Sequence, residues 1–293
     1  MKKWGFLIVL LVCGCVVFIN YGSIFEPKVD INVEVVEYEN AKVEDSGTAD
    51  NTQKIKITKE QIYQGNLLLV NSEYPVRKEG VKSDVVNLFK RNELVKGYGV
   101  LYNDTYLSED IALEFSEMIA AAEKDGVDNF WITSGYRSFD EQKELYQEMG
   151  SNAALPAGYS EHNLGLSLDV GTTQTTMAKA PEGEWIENNA WKFGFILRYP
   201  EDKSDITGIQ YEPWHIRYVG LPHSAIMKKK NFVLEEYLDY LEENKNVSAK
   251  VEGKNYTVSY YPFSENMTID IPKDKEYVIS GDNMGGVIVT VYE

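Results

Sequence analysis

Apolar positions divide this chain into stretches of different period. The first is an uncharged run from Trp4 to Phe25, apolar above all from Phe6 to Ile19, with Lys2 and Lys3 ahead of it. Its 22 residues are enough to cross a bilayer as a helix. Residues 26 to about 55 follow, with Asp or Glu at eight positions against three lysines. Alternation at Ile31, Val33 and Val35 predicts one short strand there, and the rest reads as a solvated linker. Thr58-Lys59-Glu60-Gln61 caps a short helix, and the globular part starts near Leu67.

Beyond that point the period changes from element to element. Ile111, Phe115, Met118, Ile119 and Ala122 share a helical face and predict a helix over Ser108–Lys124. Ser108 is its N-cap and Gly126 ends it. A buried strand is predicted at Phe130–Thr133, a turn at Ser134–Ser138, a helix at Phe139–Gln147 and a loop at Gly150–Tyr159. Further strands are predicted at Leu166–Val170, Phe195–Arg198 and Trp214–Val219. Further helices are predicted at Glu184–Phe193, with Trp185 and Trp191 facing the core, and at Asn231–Asn244. Val247, Ala249 and Val251 alternate, Gly253-Lys254 turns, and Tyr256, Val258 and Tyr260 alternate again, which is a hairpin signature. Val287–Val291 adds a strand. Helices come first and strands cluster later, so the expected class is α+β with an antiparallel central sheet. The expected organisation is a membrane anchor at 1–25, an acidic stalk at 26–57, a main domain at 58–245 and a β-strand appendage at 246–293.

Composition narrows the partners. The 293 residues are 43% hydrophobic, which suits a packed core, and carry a net charge of −17. With no basic stripe to neutralise phosphates, nucleic acid is excluded. Two lysines stand ahead of the apolar run against one, Lys28, just after it, and that excess puts the N-terminus in the cytoplasm. The expectation is a single-pass protein of the cell membrane with its main domain extracellular. Two readings stay open beside it. A cleaved signal peptide would need a small-x-small site, and none is convincing. A lipoprotein is suggested by Val12-Cys13-Gly14-Cys15, although Val16–Ile19 continues the apolar run. Both cysteines lie in this segment, so the exported part forms no disulfide and holds any metal by nitrogen and oxygen.

The chain has three histidines, and two sit in settings suited to a metal. One setting is Ser160-Glu161-His162-Asn163-Leu164-Gly165-Leu166-Ser167-Leu168-Asp169; the other is Glu212-Pro213-Trp214-His215. On an uninterrupted strand the odd spacing of His162 and Asp169 would send them to opposite faces. Asn163 and Gly165 permit a turn that brings them together. Pro213 keeps Glu212 out of the helical region, so the second stretch is an irregular entry into a strand, with His215 on one face and Trp214 and Ile216 on the other. Each pair alone is an ordinary coincidence. Together, two imidazoles and one carboxylate are a donor set for catalytic zinc, with Glu212 placed to act as base. His223 is expected to be a surface residue. Arg137 either pairs with Asp140 or Glu141 at the surface or aims its guanidinium at a substrate oxygen. Gln142 and Ser160 are further candidates for the same pocket.

Ser-Gly-Tyr-Arg-Ser at 134–138, Ser-x-His-x6-Asp at 160–169 and Glu-x-Trp-His at 212–215 together resemble the zinc D-alanyl-D-alanine carboxypeptidases. More narrowly, the chain resembles the VanY-type enzymes of vancomycin resistance, through Tyr63–Asn71 and Trp214–Gly220 as well. The resemblance covers nearly all of residues 58–245 and implies the fold shared with Hedgehog signalling domains, around a central antiparallel sheet. It implies one zinc ion on His162, Asp169 and His215. It implies Glu212 as the general base, Arg137 stabilising the substrate carbonyl or carboxylate, and Gln142 and Ser160 as substrate binders. The implied substrate is a peptidoglycan stem peptide ending in D-Ala-D-Ala, and no protein partner is implied. Rival readings are an L,D-carboxypeptidase acting on tetrapeptides, a D,D-dipeptidase, and a non-catalytic zinc-fold module that binds wall or a partner.

Overall fold

Alternation within one strand, Ser167–Gly171, sets the layout of the site. Leu168 and Val170 are fully buried in the main core, so Asp169 between them projects from the opposite face. The computed structural model describes residues 33–37, 51–151 and 154–293. The expected anchor and both cysteines lie outside the described residues, among which no helix is long and apolar enough to cross a membrane.

In chain order the strands are β1 (Val33–Glu37), β2 (Thr52–Lys56), β3 (Val85–Asn87), β4 (Tyr98–Val100), β5 (Tyr106–Ser108), β6 (Phe130–Ser134) and β7 (Ser167–Gly171). They continue with β8 (Phe195–Leu197), β9 (His215–Tyr218), β10 (Asn246–Val251), β11 (Lys254–Pro262), β12 (Thr268–Pro272), β13 (Glu276–Gly281) and β14 (Gly286–Tyr292). The α-helices are α1 (Glu109–Lys124), α2 (Phe139–Met149), α3 (Pro181–Asn189), α4 (Ser204–Thr207), α5 (His223–Lys230) and α6 (Leu234–Asn244).

The central sheet has the order β4-β6-β7-β9-β8. Its β6–β7, β7–β9 and β8–β9 pairings are antiparallel, as expected, but β4–β6 is parallel. The reason is α1, which lies between β4 and β6 in sequence and carries the chain back to the same end, as a parallel connection requires. Ser108 caps α1 by accepting from Ile111 N–H. Its predicted face, Ile111, Phe115, Met118, Ile119 and Ala122, is buried against Phe130, Ile132, Leu168, Phe195 and Ile216. Phe115 meets Tyr98 and Phe195 edge-on at 4.8 and 6.3 Å between centroids. Trp185 and Trp191 are buried, as predicted.

Two expectations need correction. The helix predicted over Asn231–Asn244 is preceded by a separate helix, α5, and begins only at Leu234; Asn231, at φ +54°, ends α5 in a left-handed turn. The stalk holds the short strand expected of it, β1, and also a second, β2, where linker was expected. β1 joins the second sheet, β1-β10-β11-β14-β13, pairing Val33 with Val251 and Val35 with Ala249. β2 pairs with β12. Strands from both ends of the chain thus share sheets, and Val33–Glu293 form one unit. Leu67 N–H donates to Ser280 Oγ at 2.9 Å and Leu69 N–H to Asp282 O at 3.0 Å, which ties the main domain directly to β13 and the turn after it.

Candidate active site

Arg137, Gln142, Ser160, His162, Asp169, Glu212 and His215, the seven side chains nominated from the sequence, line one open cleft of about 630 Å³. Asp169 and His215 are direct cross-strand partners on β7 and β9, so they rise side by side from one face. His215 Nδ1 lies 3.0 Å from Asp169 Oδ1. His162 comes from the single 3₁₀ turn Glu161–Asn163. Gly165, at φ +83°, reverses the chain between that turn and β7. This brings His162 Nε2 to 3.4 Å from Asp169 Oδ2. His162 Nδ1 lies 2.6 Å from the Gly135 carbonyl. A carbonyl only accepts, so Nδ1 carries the hydrogen and Nε2 keeps its lone pair. Gly135 is required at this point because a Cβ would stand 2.1 Å from Tyr106 O.

The site's electrostatics suit a cation. Burial alone would raise the Asp169 carboxyl, yet His162 and His215 hold it well below the usual carboxylate range. Burial pushes His162 down. His215 goes the other way: burial opposes its charge, but Asp169 and Glu161 outweigh that and raise it to about 9. A positive charge is therefore favoured between these carboxylates. The three donor atoms lie within 4.8 Å of one another. Tetrahedral zinc with ligands at about 2.0–2.1 Å sets them about 3.4 Å apart, close to the 3.0 and 3.4 Å separations present. The group is compatible with a zinc site.

Glu212 enters from a turn closed by His215 N–H donating to Glu212 O at 3.1 Å. Burial pushes its carboxyl up, toward the range of a working base. Trp214 belongs to this turn and not to the strand, so it lines the same cleft as His215 instead of the opposite face. Arg137 is half-buried. It does not pair with Glu141, whose carboxylate caps its own helix by accepting from Ser138 N–H at 2.7 Å. Arg137 Nη1 donates to Gln142 Oε1 at 2.7 Å and Nη2 to Ser134 Oγ at 3.3 Å. Gln142 Nε2 donates to Leu155 O at 2.7 Å. Both ends of the Gln142 amide are thus engaged within the protein, and the side chain braces Arg137. Ser160 Oγ accepts from His162 N–H at 3.4 Å and caps the turn that carries the histidine.

Behind the cleft lies a buried ionic cluster that sequence reasoning missed. The side chains of Glu161, Arg198 and Arg217 are fully buried. Burial would raise the Glu161 carboxyl, but Arg217 and Arg198 hold it well below its usual range. A signal was present: Arg217 sits two residues after His215 on one strand, hence on the same face. His223 is also misjudged from sequence. It is buried, with Nδ1 2.8 Å from Tyr237 Oη and Nε2 3.0 Å from Thr290 Oγ1, where α5 and α6 meet β14.

A cleft that sets a His-Asp-His group beside a raised carboxyl and a braced arginine defines the class of single-metal peptidases. The D-alanyl-D-alanine carboxypeptidase family model, VanY, matches residues 104–221. A D-alanyl-D-alanine carboxypeptidase of Enterococcus faecium is 59% identical over 298 residues, covering 100% of this chain and 97% of that protein. The solved structure of the vancomycin-resistance D,D-dipeptidase VanXYg, in complex with a D-Ala-D-Ala phosphinate analog, superposes with TM-score 0.71 at 31% identity, over 83% of this chain and 99% of that one. The LD-carboxypeptidase LdcB superposes with TM-score 0.50 at 30% identity, over 58% and 84%. The chain belongs to the VanY-type D-alanyl-D-alanine carboxypeptidase family.

Proposed function

We propose that this enzyme removes the C-terminal D-alanine from peptidoglycan stem peptides ending in D-Ala-D-Ala, with one zinc ion held by His162, Asp169 and His215. Glu212 is the general base and Arg137 binds the substrate oxygen. The observation that carries this is the convergence, in one cleft, of residues separated by up to 78 positions in the chain, from Arg137 to His215. Zinc, when bound, supplies a Lewis acid that acidifies water and polarises a carbonyl.

The remaining work falls to side chains. Glu212 takes the proton of the attacking water and returns it to the nitrogen of the departing D-alanine. Its raised carboxyl favours the first transfer, because it binds a proton more readily than an exposed glutamate, and the more basic amine of the leaving D-alanine draws the proton on in the second. Arg137, with Nη1 and Nη2 braced by Gln142 and Ser134, lines the cleft and keeps further N–H donors for substrate. Preorganised donors of this kind stabilise charge as it develops on the carbonyl oxygen. Trp214, 40% exposed on the cleft wall, offers an apolar surface beside the histidines.

We place the enzyme in the cell membrane through residues 1–25, with residues 33–293 outside, where such stems occur. The support is the uncharged run behind Lys2 and Lys3. The zinc-loaded full chain is expected to release D-alanine from a pentapeptide ending in D-Ala-D-Ala. Glu212→Gln is expected to bind zinc and lose activity by about 10²–10⁴-fold. Full activity in that variant refutes the base assignment, and cleavage of tetrapeptides alone establishes the L,D rival.

A further inference from the structure

His215 presents its two ring nitrogens to two different carboxylates. Nδ1 faces Asp169 Oδ1 at 3.0 Å, within the His-Asp-His group. Nε2 faces Glu161 Oε2 at 3.4 Å, on the other side of the ring. The oxygens of Glu161 are divided between two tasks. Oε1 accepts from Arg198 Nε at 2.8 Å and Arg217 Nη1 at 2.6 Å. Oε2 accepts from Ser167 Oγ at 3.1 Å and keeps its remaining capacity for His215. The arginines are themselves held. Arg198 reaches Glu235 through Nη1 and Nη2 at 2.9 and 2.8 Å, and Arg217 Nη2 donates to the carbonyls of Asn66 and Leu68 at 2.9 and 3.0 Å. Glu161 therefore has one orientation.

We propose that Glu161 is a positioning residue that selects the His215 tautomer, keeping the hydrogen on Nε2 and freeing the Nδ1 lone pair for the metal. The proposal rests on the zinc reading above. Both ring nitrogens face a carboxylate that can only accept, but Asp169 would be shared with the metal, which leaves Glu161 to hold the single N–H of the neutral imidazole on Nε2. The two histidines then follow one rule with opposite nitrogens. The Gly135 carbonyl takes Nδ1–H of His162 and frees Nε2, while the Glu161 carboxylate takes Nε2–H of His215 and frees Nδ1.

Glu161→Gln keeps the shape and inverts the outcome. The two arginines are donors, so they claim the single amide oxygen at the Oε1 position. The amide NH₂ then faces His215 Nε2, where two donors cannot meet. The ring accepts through Nε2, and its hydrogen moves to Nδ1, the atom needed for the metal.

The test is zinc affinity of the full chain by competition with a chromogenic chelator, for wild type, Glu161→Gln and Glu235→Gln. Glu161→Gln is expected to bind zinc about 10–100-fold more weakly. Glu235→Gln loosens Arg198 without touching His215 and is expected to change affinity by no more than about threefold. Urea melts of both variants record their folding cost separately. In wild type loaded with cadmium-113, coupling to ¹⁵N-histidine is expected at His162 Nε2 and His215 Nδ1. This arm decides the matter even if Glu161→Gln does not fold. Unchanged zinc affinity in Glu161→Gln, equal losses in both variants, or coupling to His215 Nε2 overturns the proposal. A wild-type chain that takes up no metal overturns the zinc reading itself.

Discussion

Replacing Arg137 by lysine keeps the positive charge and removes the fork. Arginine has five N–H donors; one on Nη1 goes to Gln142 and one on Nη2 to Ser134, so the others remain for substrate. A lysine ammonium is one point with three donors. It cannot reach Gln142 and Ser134 and still present a fixed donor to the cleft. Loss of one preorganised donor at a developing oxyanion costs about 10²–10³-fold in kcat, or about 2.7–4 kcal/mol. Arg137→Lys is expected near the lower end of that range and Arg137→Ala near the upper. D-alanine release from a pentapeptide, measured across substrate concentrations, separates two versions of the role. A fall in kcat at constant KM places the guanidinium on the carbonyl oxygen in the transition state; a rise in KM alone places it on the substrate carboxylate. Zinc content is expected to be unchanged, because Arg137 is not among the three donors. If Arg137→Lys keeps kcat/KM within about threefold of wild type, a braced fork is not what the site uses.

Two further outcomes follow from parts of the fold away from the cleft. Burial pushes His223 down to about 3, so below its unfolded pKa of about 6.5 the unfolded chain binds this proton first. Its stability contribution is complete above about pH 6.5 and falls by up to about 1.4 kcal/mol per pH unit toward pH 3. Urea midpoints at pH 7 and pH 5 are expected to differ less in His223→Gln than in wild type, by about 2 kcal/mol in stability; equal slopes refute the assignment. Deleting residues 246–293 removes Ser280, Asp282 and Asn283, the last of which donates to the carbonyls of Leu69 and Pro75 at 2.8 and 3.1 Å. The shortened chain is expected to lose cooperative thermal unfolding, and a sharp transition at the wild-type temperature refutes that.

Residues that meet through local geometry were legible in the sequence. The amphipathic face of α1, its serine cap, the turn at Gly165 and the Glu212–His215 turn all act within about one or two turns of chain, where spacing and residue type carry the information. The seven cleft residues were legible for a different reason: three short motifs together resemble one family, and the resemblance supplied the long-range assembly that spacing cannot. Whatever depends on pairing between distant segments stayed hidden. The parallel β4–β6 pair, the partner of the expected stalk strand β1, the strand β2, and the burial of His223 under Thr290 are all decided by which segments meet.

Glu161 is the sharpest case, because its neighbours in sequence advertised the site while its own role was invisible. A glutamate between Ser160 and His162 reads as a solvated charge, since glutamate is almost never fully buried unless paired. Its partners lie 37 and 56 positions away, at Arg198 and Arg217. Arg217 shares a face with His215 only because β9 is a regular strand, and Arg198 reaches Glu161 only because β8, the strand ending just before it, pairs with β9. A buried carboxylate costs several kcal/mol unless such partners repay it. Two buried arginines on one carboxylate, with one of its oxygens left for a histidine, are therefore hard to account for as stabilisation alone. An apolar cluster would fill the same space at lower cost, but it would leave His215 free to present either nitrogen.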